Sequence, residues 1–170
     1  MVSFAPLLLS AVLFTPVLDL ATESSMLEAP TRHVRTMDRS IRLLMKRGFR
    51  HSPSFSALVA KLQHSDVLVY VEEVPRLAGA LEGRLVMLPM AHGYRYVRIQ
   101  IALRGSPDDS VAVLGHELQH AVEVAEAPEV QDQAGMMKLY ERIGSRGGDH
   151  VYETAAAQQM ARTVRRELSS

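Results

Sequence analysis

The chain has 170 residues, 47% of them hydrophobic, which is enough for one domain with its own core and gives no sign of two. Its 19 Lys and Arg balance 19 Asp and Glu, so no broad positive field gathers phosphate backbones, and nucleic acid is not an expected partner. Cysteine is absent, which excludes a disulfide framework, a thiolate metal site and a cysteine nucleophile; any metal must be held by His and carboxylate.

Residues 1–18 carry no charged side chain before Asp19. This is an apolar stretch of signal-peptide type, so residues 1–21 are expected to export the protein to a periplasmic or extracellular location. An uncleaved membrane anchor is the second reading, although Pro6 and Pro16 disturb a spanning helix; a buried helix is the third. Residues 22–32 are polar, with Ser, Thr and Pro and no periodicity, and read as a tether. The folded domain is then 33–170.

Val34, Met37, Ile41, Leu44 and Met45 recur at helical spacing, predicting a helix over 34–47 that ends at Gly48. A second helix is predicted over 52–64, with Ser52 as its cap, Pro53 in its first turn and Phe55, Leu58, Val59 and Leu62 on one face. Residues 66–74, 83–88 and 94–103 are β-branched, partly alternating runs divided by Pro and Gly, and predict three strands of an antiparallel sheet. In the last of these Tyr94, Tyr96, Arg98 and Gln100 alternate with Val97, Ile99 and Ile101, the pattern of a strand with one wet face and of a sheet edge. Ser106-Pro107-Asp108-Asp109 starts a helix that reaches Glu126, a further helix runs from Pro128 to Ile143, and the last covers 151–168.

The chemistry is carried by His116-Glu117-Leu118-Gln119-His120, an H-E-x-x-H motif. Residues four apart share one helix face, so both imidazoles can point at one metal ion. Glu117 is rotated by about 100° from His116 and sits beside the metal as a general base for a metal-activated water. On the helical wheel Val111, Leu114, Leu118, Ala121, Val122 and Ala125 form the apolar stripe, Gln119, Glu123 and Glu126 the wet side, and the histidines the boundary between them. With 7 His in the chain, a chance occurrence of this motif is on the order of a few per cent.

The ten residues from Val113 to Val122 also resemble the longer signature of zincin metallopeptidases, and three strands followed by the motif helix are similar to the zincin core. The resemblance implies an α+β, zincin-like fold, a three-stranded antiparallel sheet packed with the metal-binding helix and further helices. It also implies Zn2+ as cofactor, a peptide or protein substrate, and substrate addition to the strand over 94–103.

A catalytic zinc has three protein ligands and one open position, so one ligand lies elsewhere. The metzincin pattern needs Gly and His where this chain has Glu123 and Glu126. Glu153 is favoured: on the last helix it shares a stripe with Ala156, Ala157, Met160 and Val164, and a carboxylate there needs a positive partner. This resembles the gluzincin arrangement, with one departure, Ala157 standing where many gluzincins carry an acidic residue. The alternatives are that Glu153 only caps the last helix, with Asp149 or His150 as ligand. The expected site is therefore His116, His120 and Glu153 on the metal with Glu117 catalytic, in a zinc metallopeptidase. The competing expectation is a catalytically inactive zincin-like module that binds zinc or a partner.

Overall fold

The computed structural model of the chain describes residues 32–146 and 152–170. In order these hold β1 (Val34–Arg35), α1 (Arg39–His51), α2 (Pro53–Gln63), β2 (Val67–Glu73), β3 (Gly83–Ala91), β4 (Tyr94–Ile101), α3 (Pro107–Ala125), α4 (Gln133–Ile143), β5 (Ser145–Arg146), β6 (Tyr152–Glu153) and α5 (Ala155–Leu168). The expected leader and almost all of the tether lie outside the described residues. The expectation of an exported or membrane-anchored chain is corrected to a narrower statement: among the described residues no helix is long and apolar enough to cross a membrane.

The fold is α+β, but its sheet is not the three-stranded antiparallel one the sequence led us to expect. Four strands lie in the order β1-β2-β4-β3, with β2 parallel to both neighbours and only β3 antiparallel to β4. Alternation reports which face of a strand is wet and says nothing of its direction, which is why the pattern misled. β3 and β4 do form a hairpin, closed by His92 and Gly93 at φ 52° and 78°, the two positive values that a tight two-residue turn requires. Residues 74–82 carry the chain past the place beside β2, and β4 returns into that gap, in register from Val67↔Arg95 to Glu73↔Ile101. β4 is therefore interior, and β3 is the edge. The two residues of β1 had been read as helix; Val34 instead pairs with Val69, and α1 begins only at Arg39.

One face of the sheet builds the core. Val67, Val69, Val71, Val97, Ile99 and Ile101 are all essentially inaccessible and join Phe55, Leu58 and Leu62 of α2 and Leu114, Leu118 and Val122 of α3 in one cluster. The opposite face is polar: Tyr70 stacks on Tyr96, and Gln100 donates to Glu72 at 2.6 Å and accepts from Arg84.

α3 is fixed at both ends. Ser106 accepts from the Asp109 backbone at 3.1 Å while the Asp109 carboxylate accepts from the Ser106 backbone, a reciprocal capping box with Pro107 in the first turn. At the other end Arg95, 1% exposed, donates to the carbonyls of Val124, Ala125, Ala127 and Val130 and to both oxygens of Asp66. A guanidinium here satisfies the carbonyls a helix terminus leaves open and opposes its dipole. α3 is thereby locked to β4 at a set height. α5 packs close along α3 because Gly115 has no side chain: a Cβ there would stand 3.1 Å from Cγ2 of Val164.

Candidate metal centre

His116 and His120, one turn apart on α3, bring their Nε2 atoms to 3.2 Å. The Glu153 Oε2 atom lies 3.3 Å from His116 Nε2, and one donor atom from each of the three side chains falls within 4.8 Å of the others. Tetrahedral zinc with bonds of about 2.0–2.1 Å separates its ligand atoms by about 3.3 Å, so both closest spacings fit an ion of that size. Two imidazoles and one carboxylate form a donor set suited to a divalent metal. The cluster is consistent with a zincin-type metal-binding site.

Glu153 joins this cluster from a different element than the sequence suggested. It is not on the last helix. It belongs to β6, paired with Ser145 of β5, and α5 starts only at Ala155. The cap is Thr154, whose hydroxyl accepts from the Ala157 backbone at 3.1 Å, so Glu153 is free of that duty and its carboxylate turns to His116. The stripe of Ala156, Ala157, Met160 and Val164 is helical as expected; Glu153 immediately precedes that helix. Asp149 and His150 lie outside the described residues. Glu126 is exposed at the end of α3 and pairs with Lys61 at 3.3 Å.

Glu117 is 6% exposed and lies under the start of β3. A Cβ on Gly83 would stand 2.7 Å from its Cγ and 2.8 Å from its Cδ, and closer still to Oε1. Glycine at 83 is thus what lets the edge strand pass over this carboxylate. Burial raises the Glu117 carboxyl to about 7, against the opposing influence of His120. The group can therefore hold or release a proton near neutrality.

Glu123, expected on the wet side of the helix, is buried. Its Oε2 accepts from His120 Nδ1 at 2.8 Å and its Oε1 accepts from the Thr154 hydroxyl at 2.6 Å. The wheel misplaced it because the sheet is not the only thing packed on α3; α5 covers that flank. Its spacing of three residues from His120 was the available signal. With Nδ1 donating to Glu123, the lone pair of His120 is left on Nε2, the atom that faces the cluster. Tyr140 of α4 adds an edge-on ring contact to His120, with centroids 5.2 Å apart, and donates its hydroxyl to the His120 carbonyl at 3.1 Å. Burial opposes charge on His120, but the Glu123 hydrogen bond and the carboxylates of Glu117, Glu123 and Glu153 outweigh it and raise its pKa. Burial, together with neighbouring His120, lowers that of His116.

The cluster opens into a cleft of about 600 Å³ between β3 and α4, lined on one side by residues 83–87 and on the other by Gln133, Met136, Met137 and Tyr140. The strand expected to bind substrate, 94–103, does not border it: β4 has neighbours on both edges. β3 is the strand along the cleft. No family profile, curated protein or solved structure matches the chain, so the reading of this site rests on its own geometry.

Proposed function

We propose that the protein is a zinc-dependent metallopeptidase. The observation that carries this reading is the grouping of His116, His120 and Glu153 at ligand spacing with buried Glu117 beside them, at the floor of an open cleft. His116, His120 and Glu153 would hold Zn2+, leaving one position open to solvent. Zinc bound there supplies a Lewis acid that polarises a carbonyl and lowers the pKa of water.

Glu117 is the general base. Its carboxyl, raised to about 7, takes a proton from the attacking water and later returns it to the departing amine. Glu123 and Tyr140 hold His120, through its Nδ1 atom and its backbone carbonyl. The peptide lies along β3, whose outer edge borders the cleft and, among the described residues, pairs with no further strand.

The test compares the zinc-loaded chain with Glu117→Gln on casein and a quenched peptide library. The expected result is hydrolysis by the parent, and retention of zinc with loss of about 10²-fold or more of the rate in the variant. Firm zinc binding with no hydrolysis by the parent would instead support an inactive zinc-binding module.

A further inference from the structure

Two hydrogen bonds set the phase of the outer edge of β3. Ala102 donates to the Glu82 carbonyl at 2.8 Å, which makes residues 82, 84, 86 and 88 the ones that exchange hydrogen bonds with β4. The backbone groups of Gly83, Leu85 and Met87 therefore point outward, where an added strand would pair. At Met87 the position is taken: its N–H donates to Oε1 of Gln133 at 3.1 Å, from the first turn of α4 across the cleft. Two residues on, Pro89 has no N–H to offer. The usable edge is thus confined to residues 83–85, beside Glu117.

α4 runs the length of this cleft. Tyr140 packs against His120 at the metal end, and Gln133, two turns earlier, reaches Met87 at the other. Seven residues of helix span about 10 Å, the length of about three extended residues.

Resting on the peptidase reading above, we propose that Gln133 is the end stop of the substrate cleft. It restricts productive substrates to peptides with no more than about three residues between the cleaved bond and the Met87 end. The carboxamide oxygen occupies the place that the carbonyl of a longer peptide would need on the Met87 N–H. Blunting of an edge against self-association accounts for Pro89 alone. It does not account for an acceptor reaching in from the cleft's opposite wall.

The test uses two sets of blocked peptides sharing one cleavable bond. One is extended from one to six residues on the amino side and the other on the carboxyl side, each with the zinc-loaded protein, Gln133→Ala and Gln133→Glu. In the parent, kcat/KM should fall about tenfold once one series passes about three residues and stay level in the other. Gln133→Ala should remove the fall, bringing kcat/KM for the long peptides level with that for the short ones in the same variant, whereas Gln133→Glu, which keeps an acceptor for Met87, should retain it. Equal length profiles in the parent and Gln133→Ala overturn the end stop and leave the peptidase reading intact. No hydrolysis of any peptide by zinc-loaded parent overturns both.

Discussion

His120 and Glu123 form a buried pair, Nδ1 to Oε2 at 2.8 Å, each side chain only 8% exposed. One helical turn thus contains both a candidate ligand and the group that orients it. Because Thr154 donates to the other oxygen of Glu123, the same carboxylate also ties β6 and α5, the elements on either side of Thr154, to the histidine.

Glu123→Ala should therefore weaken zinc affinity by about 10–100-fold, since an orienting partner lost from a ligating histidine has that effect. It should also cost about 1–3 kcal/mol of stability, because the His120 N–H and the Thr154 hydroxyl lose a buried acceptor. Competition with a chromophoric chelator and denaturant unfolding measure the two. An unchanged dissociation constant for zinc would remove Glu123 from the site.

Gly83→Ala tests the passage of β3 over Glu117. A methyl group at this position meets the Glu117 side chain at 2.7–2.8 Å, so the carboxylate must move. Overpacking of this kind costs about 1–3 kcal/mol, and displacing a proton-transfer group by about 1 Å costs about 100-fold in rate. Zinc content should not change, because the side chain that the methyl group meets first is Glu117, which is not a candidate ligand. Metal analysis and peptidase assay together separate this outcome from simple misfolding; retention of the full rate would place the base elsewhere.

How far the sequence was legible follows from where the signals are local. Ser52 and Ser106 announced their helices because a cap acts on backbone groups within three residues, and both are observed. The two histidines and Glu117 were readable because the helical repeat alone sets their relation. Strand direction was not readable, since the crossover by residues 74–82 leaves no mark in the alternation of β4. Arg95 was missed for a related reason: it sits in the buried phase of β4, where only its partners, the end of α3 and Asp66, make a charged residue tolerable. Glu123 looked solvated because the second of its two partners, Thr154, lies 31 residues away.

The Arg95–Asp66 pair carries a pH prediction. The hydrogen bonds from Arg95 hold the Asp66 carboxyl below its ordinary value, an effect partly opposed by burial. A depressed carboxyl stabilises the fold above its unfolded pKa and ceases to do so as pH falls through the folded value. The stability gap between parent and Asp66→Asn should accordingly be present at pH 7 and disappear at a pH below the folded pKa of Asp66. Asp66 is half exposed, so the gap should be only about 1 kcal/mol or less. Urea midpoints across pH 2–7 measure it, and a gap that persists unchanged at the acid end would contradict the assignment. Arg95→Met should be costlier at every pH, because it leaves carbonyls at the end of α3 without a donor.

Glu153 decides the class of the site. Thr154 caps α5 and Glu153 does not, so Glu153→Ala should leave the stability of the metal-free protein within about 0.5 kcal/mol of the parent. Zinc binding should fall strongly, because two imidazoles alone make an incomplete set for a catalytic ion. Thr154→Ala supplies the contrast: it loses the cap, about 1 kcal/mol, together with the hydrogen bond to Glu123, and keeps the three candidate ligands in place. The measurements are zinc content after gel filtration and the unfolding midpoint in chelator. Full zinc content in Glu153→Ala would move the third ligand to another residue, and alanine variants of Asp149 and His150 would then identify it. Loss of zinc in Glu153→Ala alone, with the metal-free fold intact, ties the carboxylate of β6 to the two histidines of α3 as one metal site.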